Sequence, residues 1–306
     1  MILPFNKLDI SIKDLVLEVE SGHRPSYCSD VLCDKYLTEK ERGGTLKKDR
    51  LFFLADCESL PFKDKAFDYT ICCQVFEHVQ DLAKCCEELS RVSKKGYIET
   101  PSLFWKKLHP TRKYHRWFIL LINNTLIFYN KDKCEQNSVF GKLFEIMYSN
   151  SLEYHLFFQA YRNLFKIRYE WRDRINYVVN PGEEYFRSFF LKPWGIKEYR
   201  NFYPERSFNK QAADFLGNLF STSLLLVLRK PRECMGRVLK EYKKRTTKID
   251  TESILFCPYC KGHIKIAAEQ IKCLKCDAIF VYRNGVPDMV PENYRKRSYE
   301  KHVDYS

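Results

Sequence analysis

Four cysteines near the end of the 306-residue chain have a spacing typical of a metal site. Cys257 and Cys260 form one CxxC pair, and Cys273 and Cys276 form a second pair after twelve intervening residues. Each pair bends the backbone so that two thiolates face one point, and two such pairs on a hairpin complete a tetrahedron. Zn²⁺ takes four thiolates in this geometry with no open position, which predicts a structural zinc site. An iron–sulfur or redox role is the alternative, and His263 within the hairpin is interpreted as a surface side chain.

The residues around these cysteines resemble a known small protein. The segments LFCPYCKGHIKI and IKCLKCDAIFVYRNGVPDMVPE resemble the zinc-ribbon activator subunit of methyltransferases that act on tRNA, rRNA and release factors. The resemblance covers roughly residues 254–292 and includes Asn284-Gly285-Val286-Pro287 before Met289-Val290. It implies a zinc-ribbon domain over residues 251–295, followed by a tail over residues 296–306.

The first hundred residues contain elements that could position a second site. Near-continuous apolar runs over residues 15–19, 51–56, 67–73 and 96–100 are typical of strands buried on both faces of a parallel sheet. An apolar stripe from Leu82 to Val92 predicts a helix that Asp81 caps and that Lys94-Lys95-Gly96 ends. Strand, helix and strand in this order predict an α/β fold with a Rossmann-like, doubly wound, mostly parallel sheet.

Residues 14–102 resemble the catalytic domain of class I S-adenosylmethionine-dependent methyltransferases. The most specific block runs from Asp56 through Leu60-Pro61-Phe62, Phe67-Asp68 and Glu77-His78 to Arg91-Val92. The resemblance implies that S-adenosylmethionine binds at the carboxyl ends of the strands and that the chain is an enzyme that transfers a methyl group. The implied cofactor-binding residues are Glu18, Glu20 and Gly22 in the turn after the first strand, Asp34 for the ribose hydroxyls, Asp56 and the Cys57 backbone for adenine, and Gln74 and Val75 beside the methionine part.

The turn after the first strand departs from the pattern of that family. It holds one glycine, Gly22, where two or three are usual, and Glu20 stands where the first glycine is expected. A side chain there could crowd the cofactor or repel its carboxylate. Because Asp34 follows Gly22 so closely, the helix between the first two strands must be short or absent, and Asp30 and Glu39 are alternatives for the ribose contact.

Residues 103–150 mix aromatic and basic side chains and are interpreted as an insertion after the fourth strand. Asn123-Asn124 between two apolar runs predicts a hairpin turn. The insertion offers His109, Tyr114 and His115 as candidates for a general base, which a hydroxyl or protonated-amine acceptor would require. A structural role is the alternative for each histidine, and His78 is interpreted as supporting the fold.

The rest of the chain predicts a division into domains. Residues 155–165 have the pattern of an amphipathic helix, residues 166–179 of one or two strands, and residues 223–228 of another strand. Residues 229–248 hold nine Lys/Arg against two Asp/Glu. We therefore expect a methyltransferase domain over residues 1–228 and a basic linker over residues 229–250.

Composition restricts the class of protein. Hydrophobic residues make up 45% and aromatic residues 15% of the chain, which excludes global disorder. No run reaches the ~18 apolar residues that a membrane span needs, and the N-terminus lacks a secretory signal pattern, so a soluble cytoplasmic protein with reduced thiols is expected. The net charge is −3 over residues 1–100 and +16 over the remainder, and this basic half could bind RNA or another polyanion.

Three functions fit these observations. The preferred one is a methyltransferase acting on an unidentified small-molecule, glycan or lipid-intermediate acceptor. One alternative is an RNA or translation-factor methyltransferase that uses the zinc ribbon as a binding module. The other is a non-catalytic scaffold whose altered glycine turn no longer holds cofactor. The fold alone does not name the acceptor.

Overall fold

The computed structural model describes residues 8–11, 13–37, 44–109, 115–131, 141–182 and 249–299, with isolated residues between 184 and 216. The strands are β1 Val16–Val19, β2 Val31–Asp34, β3 Leu51–Leu54, β4 Phe67–Cys73, β5 Ser93–Pro101, β6 Trp117–Ile122, β7 Thr125–Asn130, β8 Lys166–Arg172, β9 Tyr177–Val179, β10 Ile264–Ile266, β11 Gln270–Cys273, β12 Ile279–Arg283 and β13 Val286–Pro287. The helices are α1 Leu82–Val92, α2 Leu103–Leu108, α3 Gly141–Asn150, α4 Leu152–Ala160, α5 Arg162–Phe165, α6 Thr251–Ile254 and α7 Glu292–Tyr299.

Six strands form the central sheet in the order β3-β2-β1-β4-β5-β8. The first five are parallel, and β8 runs antiparallel beside β5. The order 3-2-1-4-5 is that of a Rossmann-like sheet, whose switch point lies between β1 and β4. The mixed α/β sheet therefore fits the predicted fold class, and the four apolar runs of the sequence supply β1, β3, β4 and β5.

Both faces of this sheet are covered, but not by helices alone. Leu17, Val31 and Phe53 on one face share a core with α1, with the β6–β7 hairpin and with the C-terminal residues. Leu32 and Phe52 on the other face pack against a C-terminal cluster of Val286, Val290 and Tyr294. Within the described residues, α1 is the one helix that links neighbouring parallel strands, so the predicted winding of helices over both faces is not seen there. The connection from β1 to β2, residues 20–30, contains no helix, as predicted.

Helix α1 has the predicted start but a different end. The Asp81 side chain accepts from the Lys84 N–H and caps it. The helix ends at Val92, and Ser93 already belongs to β5. The prediction that Gly96 stops the helix is wrong, because Gly96 lies inside β5, where a Cβ would come within 2.6 Å of the Thr70 carbonyl oxygen and 2.7 Å of the Trp171 ring. Close packing of β4 and β8 against β5 thus requires this glycine.

The insertion begins with α2 and a β-hairpin. Asn123 and Asn124 have positive φ angles of 48° and 58° and connect β6 to β7, which confirms the predicted two-residue turn. β9 then pairs with β7 in a three-stranded sheet, so the predicted region 166–179 forms two strands. The predicted helix over residues 155–165 is two helices, α4 and α5, which meet at Tyr161.

Residues 249–299, here named the C-terminal module, pack directly on the edge of the central sheet. The module contains the antiparallel sheet β10-β11-β12-β13. The Met289 N–H donates to the Leu54 carbonyl at the end of β3 (2.9 Å), and the Phe256 N–H donates to the Pro61 carbonyl (3.1 Å). Leu255 is fully buried and forms an isolated β-bridge with Phe62. The module therefore shares one hydrophobic core with the central sheet.

Several predicted regions lie outside the described residues. They are the strand over residues 223–228, the linker up to residue 248 and the end of the tail, residues 300–306. Residues 296–299 of the predicted tail continue helix α7. Among the helices that the structure describes, none has the length and apolar character needed to cross a membrane.

Candidate functional site

The carboxyl ends of β1, β2, β3 and β4 meet at one edge of the sheet, and the predicted cofactor residues follow these ends. The turn after β1 contains Glu20 and Gly22, both with positive φ (53° and 60°). The Gly22 N–H donates to Asp34 Oδ2 (3.2 Å), and the Lys35 N–H donates to Glu20 Oε2 (3.3 Å). The turn is thus folded onto the end of β2, and Glu20 adopts the backbone conformation in which glycine is usual.

Three carboxylates approach one another at this edge. Burial, and then the negative charges of Asp34 and Asp56, raise the pKa of Glu20 well above its ordinary value. Burial and these neighbouring charges therefore disfavour a negative charge on Glu20, which weakens its repulsion of a carboxylate ligand. Asp34 and Asp56 are each 1% exposed.

A lysine outside the predicted set of site residues contacts one of these carboxylates. Lys35 Nζ lies 2.6 Å from Asp56 Oδ2. Burial would lower the pKa of Lys35, but the Asp56 carboxylate raises it above its ordinary value, so the pair is ionic. The position of Lys35 directly after a predicted ribose ligand was the one available signal for this contact.

The remaining oxygens of the two aspartates organise their own loops. Asp34 Oδ1 accepts from the Tyr36 N–H (3.1 Å), and Asp56 Oδ1 accepts from the Glu58 N–H (2.9 Å). Cys57, beside Asp56, is buried. These Asx-type contacts hold both carboxylates at fixed positions beyond the strand ends.

Glu18 is buried within β1 and already has protein partners. Its Oε2 accepts from the Ser26 N–H (2.7 Å) and the Ser29 hydroxyl (2.6 Å). Burial raises the pKa of Glu18 to about 7. The predicted contact of Glu18 with the amino-acid end of the cofactor therefore competes with a structural role in the β1–β2 connection.

Asp30 and Glu39 are the two alternatives to Asp34 as the ligand of the ribose hydroxyls. Asp30 lies at the start of β2 and accepts from the Val16 N–H at the start of β1 (2.9 Å). Because this is the opposite end of the strands from Asp34, Asp30 as a ribose ligand is wrong. Glu39 lies outside the described residues.

The end of β4 supplies the last predicted residues. Gln74 has a positive φ of 59°, and its N–H donates to the Glu99 carbonyl (2.7 Å). Val75 is buried. Within the described residues, the buried Gln74 Nε2 and Ser21 Oγ atoms have no hydrogen-bond partner. Two buried polar atoms on neighbouring loops are thus available to a ligand.

The four cysteines come together as their spacing predicts. Their Sγ atoms lie within 4.8 Å of one another, with Cys257 and Cys276 at 3.7 Å and Cys260 and Cys273 at 3.5 Å. The N–H groups of Lys275 and Cys276 donate to Cys273 Sγ. The cysteines that the structure describes form no disulfide with one another.

The candidate bases of the insertion do not form one group. His109 is buried, and its ring nitrogens lie 3.1 Å from the Trp105 carbonyl oxygen and 3.1 Å from the Tyr154 hydroxyl. Both contacts fit a structural histidine. Tyr114 lies outside the described residues. His115 packs edge-to-face on His78, with ring centroids 4.8 Å apart, so it lies beside the end of β4.

Comparison with known proteins supports a methyltransferase. Residues 31–98, from β2 into β5, match the family described as "Methyltransferase domain". No curated protein sequence matches the chain.

Similar solved structures are distant. The YcgJ protein from Bacillus subtilis has 19% identity and a TM-score of 0.24, covering 31% of this chain and 47% of that one. A SAM-dependent methyltransferase from Methanosarcina mazei has 17% identity and a TM-score of 0.27, covering 37% of this chain and 69% of that one. A chain in the complex between the Haloferax volcanii Trm112 methyltransferase activator and a methyltransferase has 12% identity and a TM-score of 0.34, covering 55% of this chain and 86% of that one. The chain spans about half the length of the first of these structures, and we draw no functional conclusion from likenesses at this level.

Proposed function

We propose that the chain is an S-adenosylmethionine-dependent methyltransferase. The observation that carries the proposal is that the family match over residues 31–98 contains both Asp34 and Asp56. These buried carboxylates lie at the carboxyl ends of the neighbouring strands β2 and β3, on the β1 side of the switch point of the sheet. Ligands of open α/β sheets bind at this position.

The donors and acceptors at this edge fit the cofactor. Asp34 would accept from the ribose hydroxyls and Asp56 from the adenine amino group, which requires Lys35 to release Asp56 Oδ2 or share it. Ser21 Oγ and Gln74 Nε2 would gain the partners that the described residues do not give them. The pKa of Glu20, which burial and the neighbouring carboxylates raise, would reduce the repulsion between this side chain and the cofactor's carboxylate.

Methyl transfer from this cofactor requires little from the protein beyond alignment of the methyl group with the acceptor. S-adenosylmethionine supplies a methyl group already activated as a sulfonium. Asp34 and Asp56 would hold the cofactor, and the β6–β7 hairpin of the insertion, which packs against the loop after β4, would exclude water from the line of transfer. Trp117 Nε1 donates to the Val79 carbonyl (2.7 Å) and holds the hairpin there.

We further propose that the C-terminal module binds structural zinc. At Zn–S bonds of about 2.3 Å, the sulfurs of a tetrahedral site lie about 3.8 Å apart, close to the observed 3.5 and 3.7 Å. Gly262 supports the fit, because a Cβ there would lie 3.1 Å from Cys260 Sγ and 3.3 Å from Cys273 Sγ. His263 remains outside this ligand set.

The module would then support the cofactor site from the same chain. It donates a hydrogen bond to Leu54, two residues before Asp56, and Asp288 forms a parallel β-bridge with the same residue. Order in the module would thus help to fix the end of β3.

We prefer a small molecule, glycan or lipid intermediate as acceptor. The assay incubates the full chain and a cell extract with methyl-labelled S-adenosylmethionine and measures label in the small-molecule, lipid, glycan, RNA and protein fractions. Asp56→Asn should abolish labelling, whereas Asp64→Asn, with a side chain 75% exposed, should not. Label in RNA or protein would instead favour the RNA or translation-factor function, which the charge of +16 beyond residue 100 supports.

A non-catalytic scaffold is the second candidate. The Lys35–Asp56 ion pair and the Glu20 side chain together favour it, since both lie where the cofactor would bind. This function predicts no labelling of any fraction and no binding of S-adenosylmethionine by a well-folded protein.

A further inference from the structure

A second group of metal-binding side chains lies apart from the four cysteines. The Glu77 carboxylate and the rings of His78 and His115 each offer one ligand atom, and the three atoms lie within 4.8 Å of one another. Glu77 and His78 follow β4, whereas His115 comes from the start of the insertion. The fold therefore brings together two imidazoles and a carboxylate from distant parts of the chain.

One backbone hydrogen bond and one side-chain hydrogen bond hold the two segments in contact. The Arg116 N–H donates to the Glu77 carbonyl (2.7 Å), and Trp117 Nε1 donates to the Val79 carbonyl (2.7 Å). The His78 N–H donates to the Val75 carbonyl (2.8 Å) and closes a turn. These hydrogen bonds fix the backbone around Glu77 and His78 and the backbone that follows His115, so mainly the side chains need to move on binding.

The Glu77 carboxylate has the orientation expected of a metal ligand. Glu77 is 1% exposed, and its Oε2 accepts from the Thr100 hydroxyl of β5 (2.9 Å). Its Oε1 lies 3.9 Å from His78 Nε2, too far for a direct hydrogen bond. Ligand atoms around one ion, at bonds of about 2.1 Å, lie about 3 to 4 Å apart. The observed separation therefore matches two ligands of a shared ion.

The surroundings favour a cation with room for another ligand. The His78 side chain is 40% exposed, which gives access from solvent and freedom for its ring to turn. Lys106 is buried nearby, but its ammonium group donates to the Trp117 carbonyl. Two imidazoles with one carboxylate suit divalent transition metals better than Mg²⁺ or Ca²⁺.

We infer that Glu77, His78 and His115 bind a divalent transition-metal ion at the end of β4. Three protein ligands leave coordination positions for water or for an oxygen of a bound ligand. Because Val75 of the proposed cofactor site is two residues from Glu77, this ion would lie close to that site. The inference is independent of cofactor binding and of the zinc proposal.

The test titrates Co²⁺ into the full chain loaded with a single equivalent of zinc, monitored by calorimetry and visible absorption. Zinc stays on the thiolates because it binds such sites more tightly than cobalt. We expect one equivalent of Co²⁺ with the weak visible bands of nitrogen and oxygen ligands. Loss of an outer partner alone costs about 10–100-fold in metal affinity. Thr100→Val should therefore weaken binding by about tenfold, and His78→Ala or His115→Gln by at least about 100-fold.

His263→Gln is the matched control and should bind Co²⁺ as the native chain does. Circular dichroism verifies that each variant is folded, and His78, being exposed, is the safest substitution. Absence of a Co²⁺ equivalent in the native chain would overturn the inference. Binding that is unchanged in both folded histidine variants would do the same.

Discussion

Leu255→Ala tests whether the C-terminal module and the central sheet unfold as one unit. Leu255 belongs to the module, is fully buried and bridges to Phe62, which is also fully buried. Truncating a leucine in such a site costs about 2–5 kcal/mol. At about 2 °C of melting temperature per kcal/mol for a chain of this size, the expected loss is roughly 4–10 °C.

Tryptophan fluorescence is the assay because it reports on only one side of the contact. All four tryptophans precede the module in the sequence, and Trp117 and Trp171 are buried in the central sheet and insertion. Leu255→Ala should shift the tryptophan transition by the full amount. The control, Leu274→Ala in the same module but 64% exposed, should shift it by less than about 1 °C. An unchanged tryptophan transition in Leu255→Ala would refute the shared core.

Three further predictions concern the sheet and its edge. The pKa of Glu18 is about 4.5 in the unfolded chain and about 7 in the folded chain, so the free energy of unfolding should fall by about 3 kcal/mol as the pH rises between these values. Denaturant melts of Glu18→Gln should lack this pH dependence. An equal pH dependence in the variant would exclude Glu18 as its source. Gly96→Ala should cost at least about 1–3 kcal/mol by overpacking, whereas Gly182→Ala, with nothing within 4 Å of its Cβ, should be neutral in the same melts. Glu20→Gly should strengthen S-adenosylmethionine binding in calorimetry. It should change the free energy of unfolding by less than about 1 kcal/mol, because relief of the strain of a positive φ offsets the flexibility of glycine in the unfolded chain. Weaker binding would mean that Glu20 holds the cofactor.

Local patterns predicted the parallel sheet because its strands are buried on both faces. The runs that became β1, β3, β4 and the second part of β5 are nearly continuously apolar, and the stripe of α1 has helical spacing. The two-residue turn at Asn123-Asn124 needed only the left-handed tolerance of asparagine. Such features depend on neighbours within a few residues, so a single sequence contains them.

Contacts between distant segments could not be predicted in this way. Gly96 has the sequence context of a helix end, but its role depends on Trp171, which lies 75 residues later in the chain. The docking of Leu255 on Phe62 and the approach of His115 to His78 are likewise tertiary. The apolar Ile254-Leu255-Phe256 directly before the first CxxC pair was the available signal that the module has a covered face.

The most direct test of the central proposal is calorimetric titration of S-adenosylmethionine into the zinc-loaded full chain, with Asp56→Ala as the comparison. We predict saturable binding of one equivalent by the native chain, with loss of binding in Asp56→Ala. No binding by a well-folded native chain would contradict the methyltransferase function and favour the scaffold.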